Sequence, residues 1–270
     1  MKIGIIGLGF LGQEVYQDLR LDHTLMGTVK SFSSYLKLKW KGFRVFRMNS
    51  QNPDKLLNYF KDQEVIIICI AAKNENYESV YLNLAQTLEH LSSRLTSLKQ
   101  LIVISSTSVY EESNGSIIDE NSPLNIKDHN PHLLVETENY YLRLKNKCKV
   151  VIFRLGEIYG KKRNFKEKLT QLQEREVPGD GLKKVNASHI LDIVMAIRWA
   201  IEHKKEGIFN LVASEHPTRK QLYEKISNKY GLKLPLFNPN LYSYHGKNKE
   251  VSNEKIKKEG FKLKFPQIEI

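Results

Sequence analysis

Through the first 155 residues, short unbroken apolar runs alternate with longer stretches whose apolar residues recur every three or four positions. Lys2–Ile6, Leu25–Lys30, Gly42–Met48, Glu64–Ala72, Gln100–Ser106 and Lys149–Arg154 read as strands. Runs such as Val65–Ile70, apolar at every position, suit strands covered on both faces, as in parallel sheets. Helical periodicity predicts helices over 11–19 and 76–98. A third opens with Asn52 as cap and Pro53 in its first turn and runs to Lys61. Strand and helix in alternation predict an α/β protein with a doubly wound parallel sheet. After Gly160 the rhythm changes: a basic stretch, a polar helix, a loop with Pro178, Gly179 and Gly181, an amphipathic helix over 188–203, a strand over 207–212 and a helix over 218–230. Pro235–Pro239 and the lysine-rich tail read as loops with a short terminal helix. The expected organisation is a Rossmann-type domain over 1–160 and a smaller C-terminal substrate lobe over 161–270, with the helix around 188–203 packing back on the first domain.

Composition narrows the class. The chain has 270 residues, 41% of them hydrophobic, which is enough for a sizeable core. No apolar run reaches the roughly 18 residues of a membrane span, and the first twelve residues carry a glycine turn rather than a signal peptide. Cys69 and Cys148 lie in or beside apolar runs, fit no ligand spacing and suggest a reducing cytoplasm; no metal site is expected. The net charge of +12 is uneven. Residues 1–135 hold 14 Lys/Arg and 14 Asp/Glu, whereas residues 136–270 hold 28 and 16. An acidic small molecule held by the second half is one reading, and a solvated lysine-rich surface is the other. The lysines are scattered without a basic–aromatic ladder, so neither nucleic acid nor membrane is an expected partner. A small-molecule substrate is, and a homodimer is compatible with the chain.

The first twelve residues carry the clearest chemistry. Gly7, Gly9 and Gly12 form a GxGxxG turn between an apolar strand and a helix. The first glycine permits the turn, the second lets backbone approach a pyrophosphate, and the third lets helix pack on strand. The helix start, with Phe10 and Leu11, presents free N–H groups and a positive dipole end to the phosphates. At the end of the second strand stand Thr28, Lys30 and Ser31, with no acidic residue to bond a ribose 2′-hydroxyl. A 2′-phosphate suits Lys30 and Ser31, so NADP is favoured over NAD. Ala71 and Ala72 are small enough for a cofactor to lie over the sheet edge, beside Ser105.

Further landmarks follow in order: Ser105-Ser-Thr-Ser-Val-Tyr110, Ile118-Asp-Glu-Asn-Ser-Pro123, Arg154-Leu-Gly-Glu-Ile-Tyr-Gly160, Val185-Asn-Ala-Ser-His189 with Asp192, and Phe209-Asn-Leu-Val212. Lys249-Glu-Val-Ser-Asn253 with Gly260-Phe261 extends the series. Together they resemble the extended short-chain dehydrogenase/reductase superfamily, of the nucleotide-sugar epimerase/dehydratase type. The resemblance implies NAD(P) on the Rossmann lobe, substrate between the lobes, and Ser106 bonded to the substrate oxygen. Thr107, Arg154, Arg163 and His189 are candidate substrate contacts, with a satisfied structural cation as the alternative for Arg154. Lys161 and Lys162 join Arg163 at the cleft rim, and His189 has an alternative role in packing. The resemblance also implies a YxxxK pair, whose lysine lowers the tyrosine pKa. The tyrosine should fall near Asn130–His132 and the lysine near Leu134 or Val135, and neither is present. Tyr141 and Lys145 have the spacing but lie ten positions further on, about 15 Å along a helix. His129 and His132 stand near the vacant position, as a substitute acid–base group or as histidines of the helix start with no such role. Two functions follow: an NAD(P)-binding, epimerase/dehydratase-like oxidoreductase acting on a small anionic metabolite or nucleotide sugar, or a non-catalytic NADP-binding redox sensor or scaffold.

Overall fold

The computed structural model describes residues 1–49, 52–72, 76–161, 163–241 and 247–270. In chain order the first elements are β1 (Lys2–Ile6), α1 (Phe10–Leu19), β2 (Thr24–Val29), α2 (Phe32–Trp40), β3 (Val45–Arg47), α3 (Pro53–Phe60), β4 (Val65–Ile68), α4 (Asn83–Leu91), β5 (Gln100–Ser106), β6 (Ile117–Ile118) and α5 (His129–Leu142). There follow β7 (Lys149–Leu155), β8 (Glu157–Tyr159), α6 (Phe165–Leu172), β9 (Glu176–Pro178), β10 (Ala187–His189), α7 (Ile190–Glu202), β11 (Gly207–Leu211), α8 (Arg219–Tyr230), β12 (Leu236–Asn238), β13 (Glu250–Val251) and α9 (Glu254–Lys258).

Seven strands form the central sheet in the order β11-β7-β5-β4-β1-β2-β3. The β1–β2, β1–β4, β2–β3 and β4–β5 ladders are parallel, with Ile3 opposite Leu25 and Val65, and Val65 opposite Gln100. The strand order reverses across β1 and β4, the switch point at which open α/β sheets bind ligands. The apolar runs are central for the expected reason: Ile66 and Ile67 of β4 and Leu101 and Ile102 of β5 are fully buried. Each such side chain contributes roughly 1.5–3 kcal/mol relative to exposure.

Two compact units are present, each discontinuous in sequence. The first comprises 1–109, 126–154 and 194–208; the second comprises 110–125, 155–193 and 209–270. In the first unit a core built on Leu56, Phe60, Ile66, Leu84, Leu88, Leu101, Tyr141 and Ile152 fills one side of the sheet. Arg198 of α7 reaches α1 and the turn after it, donating to Asp18 (2.8 Å) and Asp22 (2.7 Å). The second unit has its own core around Tyr159, Phe165, Leu169, Leu222 and Ile226. It also holds three short parallel pairs, β8–β10, β9–β12 and β6–β13.

Two sequence expectations need correction. The strand in the run over 64–72 is only Val65–Ile68; the Cys69 N–H still donates to the Ile6 carbonyl (2.9 Å), and by Ala72 the N–H goes instead to the Tyr81 hydroxyl (3.1 Å). The single helix expected over 76–98 is three pieces. A π-helical turn spans Glu78–Leu82, with the Asn83 N–H donating five residues back to Glu78. α4 follows, and a tight 3-10 turn over Ser92–Arg94 ends the segment. One residue more than an α-turn holds is inserted, which periodicity over a long window does not detect.

Candidate functional site

The glycine turn forms by backbone contact. Gly7 has φ of +97°, and a Cβ there would stand 2.7 Å from the Cys69 carbonyl oxygen. A Cβ on Gly12 would meet the Gly7 carbonyl oxygen at 2.1 Å. At Gly9, by contrast, nothing lies within 4 Å of an added Cβ. The middle glycine therefore faces open space where a ligand can approach backbone, as its place in the pattern requires. Gly9 caps α1 without a side-chain hydrogen bond, and no acidic residue occupies the first turn. The N–H groups at Phe10, Leu11 and Gly12 thus keep the positive end of the helix available to an anion. Thr28 serves this turn from behind: it is buried, its hydroxyl accepts from the Gly7 N–H (3.4 Å) and its carbonyl accepts from the Leu8 N–H (2.8 Å).

Beside the turn, beyond the ends of β2 and β3, lies a cavity of about 350 Å³ lined by Lys30, Arg47, Asn49 and Lys55. Three of its four lining side chains are cations. The Arg47 Nε donates to the Lys30 carbonyl (3.3 Å), and its guanidinium lies 5.9 Å from the centre of the Phe32 ring. Ser31 caps α2, accepting from the Ser34 N–H (3.2 Å), which fixes where Lys30 leaves the strand. Of this group the sequence singled out Lys30 and Ser31. Arg47, Asn49 and Lys55 come to the same place because β3 pairs with β2 and α3 starts just beyond it. A larger cavity, about 540 Å³, lies in the second unit among Glu215, His216, Gln221, Glu224 and Lys225. Its Glu215 and Lys225 are already paired at 2.5 Å, and none of its lining belongs to the landmark motifs.

On the other side of β1, Ala71 is exposed and Ala72 buried. Ser105 donates to the Glu138 carboxylate (2.5 Å). Glu138 also takes a two-pronged bond from Arg154: Nε lies 3.1 and 3.2 Å from its oxygens, and Nη2 lies 2.6 Å from Oε2. Glu138 and Arg154 are 3% and 2% exposed. Arg154, a candidate substrate contact in the sequence, is thus an internal cation that locks α5 to β7. Glu138, which reasoning from the sequence passed over, is the residue that holds Ser105 and Arg154 together. Ser106 is half-buried and accepts from the Ser108 N–H (3.1 Å); Thr107 is buried.

The helix that carries the catalytic pair in the resemblance has Asn130 exposed and Leu134 buried at those positions. His129 and His132 are exposed on its first turn, with His132 3.9 Å from Glu136. Tyr141 is packed in the core, its hydroxyl buried without a hydrogen-bond partner among the described residues, and burial pushes its pKa well above the usual phenol range. Lys145 is exposed in the 3-10 turn that follows. A tyrosine in the core and a lysine in solvent do not make a proton relay.

In the second unit, Lys161 and Arg163 are exposed, and Arg163 pairs through its backbone with Gly160 (2.8 and 3.1 Å); Lys162 lies outside the described residues. His189 is buried. Its ring stacks on Phe265 at 3.6 Å, its Nδ1 accepts from the Leu191 N–H (3.3 Å) and its Nε2 lies 3.7 Å from Glu269. Burial lowers its pKa against the pull of Glu269, so it is a neutral packing residue at pH 7. Cys69 and Cys148 are free and buried, and burial pushes their thiols up to about 12 and about 11. No cluster of metal-ligating side chains and no helix long and apolar enough to cross a membrane is present among the described residues.

Comparison with known proteins agrees with this fold. The dTDP-glucose 4,6-dehydratase of Bacillus anthracis, solved in complex with NAD, is similar to this chain at 20% identity, with a TM-score of 0.82, over 99% of this chain and 94% of that one. The UDP-glucose 4-epimerase of Thermotoga maritima, solved with UDP-glucose, is similar at 18% identity and a TM-score of 0.81, over 96% and 92%. A conserved protein of unknown function from Silicibacter pomeroyi is similar at 19% identity and a TM-score of 0.81, over 99% and 95%. At these identities the likeness is one of fold. A search of curated protein sequences finds no match. The profile of the NAD dependent epimerase/dehydratase family matches residues 3–211, from the first strand to the last strand of the central sheet, and the chain belongs to that family.

Proposed function

We propose that this protein binds NADP in preference to NAD and acts as an epimerase/dehydratase-like oxidoreductase on a small anionic metabolite or nucleotide sugar. The observation that carries the coenzyme preference is the cavity of Lys30, Arg47, Asn49 and Lys55 beside the glycine turn. A ribose 2′-phosphate brings nearly two negative charges, and cations around its site favour it by charge-assisted hydrogen bonds. A ribose with a free 2′-hydroxyl calls instead for a carboxylate, and none lines this cavity among the described residues. The fit to a dinucleotide rests on the open face at Gly9 and the uncapped start of α1, which suit the pyrophosphate.

When bound, the nicotinamide supplies a hydride acceptor or donor. The chain's own contribution is positioning. Ser106, which accepts from the Ser108 N–H, retains its own hydrogen for a substrate oxygen at the carboxyl edge of β5. Titration with NADPH and NADH by calorimetry tests the reading. NADPH binding at least tenfold tighter, with the difference removed in Lys30→Ala/Arg47→Ala, is the expected result; equal affinities would overturn the preference.

A second reading, a coenzyme-binding redox sensor or scaffold, draws on one observation: neither a tyrosine over Asn130–His132 nor a lysine at Leu134 or Val135 is present. Firm coenzyme binding with no NADP-linked turnover on aldehydes, ketones or sugar nucleotides would favour it.

A further inference from the structure

The strand order orients any dinucleotide that lies across this sheet. Its pyrophosphate belongs on the turn after β1, and the basic cavity lies on the β2–β3 side. The other half of the molecule must then extend over β4 and β5, whose ends lie about 5 and 10 Å from β1 at the usual strand spacing. Tyr81 reaches that edge. Its hydroxyl accepts the Ala72 N–H at 3.1 Å, just past the end of β4. The π-helical turn that carries it packs on α5, and its ring lies 5.2 Å from that of Tyr77. Turns of this kind cost backbone hydrogen-bond quality and recur at functional sites. A phenol oxygen that accepts from a backbone N–H still has its own hydrogen to donate, and for Tyr81 that hydrogen has no acceptor among the described residues. Burial raises its pKa against the lowering effect of the Ala72 N–H, so at neutral pH it is a donor rather than a base.

We propose that Tyr81 is a coenzyme-binding residue whose hydroxyl donates a hydrogen bond to an oxygen of the nicotinamide half of the bound dinucleotide, its ribose or its carboxamide. The proposal rests on the reading of this edge as an NADP site. It supplies a phenol from the β4–α4 segment, whereas α5 carries none over Asn130–His132.

Calorimetry on the full chain tests it with two probes: NADPH, and 2′-phospho-ADP-ribose, which lacks the nicotinamide. In Tyr81→Phe, affinity for NADPH falls about three- to tenfold, the share of one hydrogen bond, while affinity for the shorter probe is unchanged. Unchanged NADPH affinity, or equal loss for both probes, overturns the assignment. Wild-type protein that binds neither probe overturns the NADP reading itself, and with it this one. A second measurement leaves the fold untouched: with 3-fluorotyrosine at position 81, the fluorine resonance shifts on adding NADPH and stays in place with 2′-phospho-ADP-ribose. A resonance that ignores NADPH, or moves equally with both, refutes the contact.

Discussion

Glu138 and Tyr141 lie one turn apart on α5, and both are buried, yet their environments differ in one respect. Every oxygen of Glu138 is met, by Ser105 on one side and Arg154 on the other, whereas the Tyr141 hydroxyl has no hydrogen-bond partner among the described residues. A buried hydroxyl without a partner costs about 1–3 kcal/mol. Tyr141→Phe should therefore leave stability unchanged or raise it by about 1 kcal/mol in urea denaturation, with NADPH affinity intact. A fall in affinity would return Tyr141 to the site. The same pair shows the reach of the sequence at this scale. Spacing marked Tyr141 and Lys145 as a candidate relay, but spacing does not say which face of α5 meets the sheet. Glu138 was invisible because its partners are 33 and 16 residues away.

Among the elements, α6 and α8 of the second unit meet through one carboxylate. Glu157 of β8 accepts from Lys168 of α6 (2.6 Å) and from Arg219 at the start of α8 (2.9 Å). Burial alone would raise its pKa, but the two cations outweigh that and hold it below the usual glutamate range. A carboxylate with a depressed folded-state pKa contributes stability above the ordinary glutamate value, and that contribution is lost as pH falls through the folded value. Wild-type stability should thus drop more steeply than that of Glu157→Gln between pH 5 and pH 3, followed by thermal melts, with the variant about 1–2 kcal/mol less stable at pH 7. Parallel curves would remove this role. Element existence was legible where the pattern is strong: β1, β4, β5 and β7 are apolar runs, and α3 and α8 carry the caps Asn52 and Thr218. The short pairs β9–β12 and β6–β13 were not, because two- and three-residue strands have no periodicity to read.

For the whole molecule, coenzyme binding is linked to unfolding. A ligand at 100 times its Kd that binds only the folded chain adds about 2.7 kcal/mol. For a chain of 270 residues that raises Tm by about 5 °C. NADPH should produce such a shift and NADH a smaller one at equal concentration, read by differential scanning fluorimetry; no shift with either would count against a coenzyme site. The charge of +12 bears on the same experiment. Its surplus falls wholly in residues 136–270, whereas the cations proposed to select the coenzyme come from the neutral half. The charge surplus and the cations of the proposed coenzyme site thus fall in different halves of the chain, and the coenzyme argument rests on the residues that β2, β3 and α3 bring together.

The sequence alone determined the α/β alternation, the glycine turn and the family's order of landmarks. These are local: an apolar run, a glycine whose neighbour is backbone, or a cap at a helix start acts over a few residues. Tertiary structure alone decided which polar side chains share a place. Arg47 and Lys55 join Lys30, and Glu138 joins Ser105 to Arg154, because parallel strands bring distant segments to one edge of the sheet; Tyr81 meets Ala72, nine residues back, from the π-helical turn. Such contacts depend on strand order and on the inserted residue of a π-turn, and neither leaves a periodic mark in the chain.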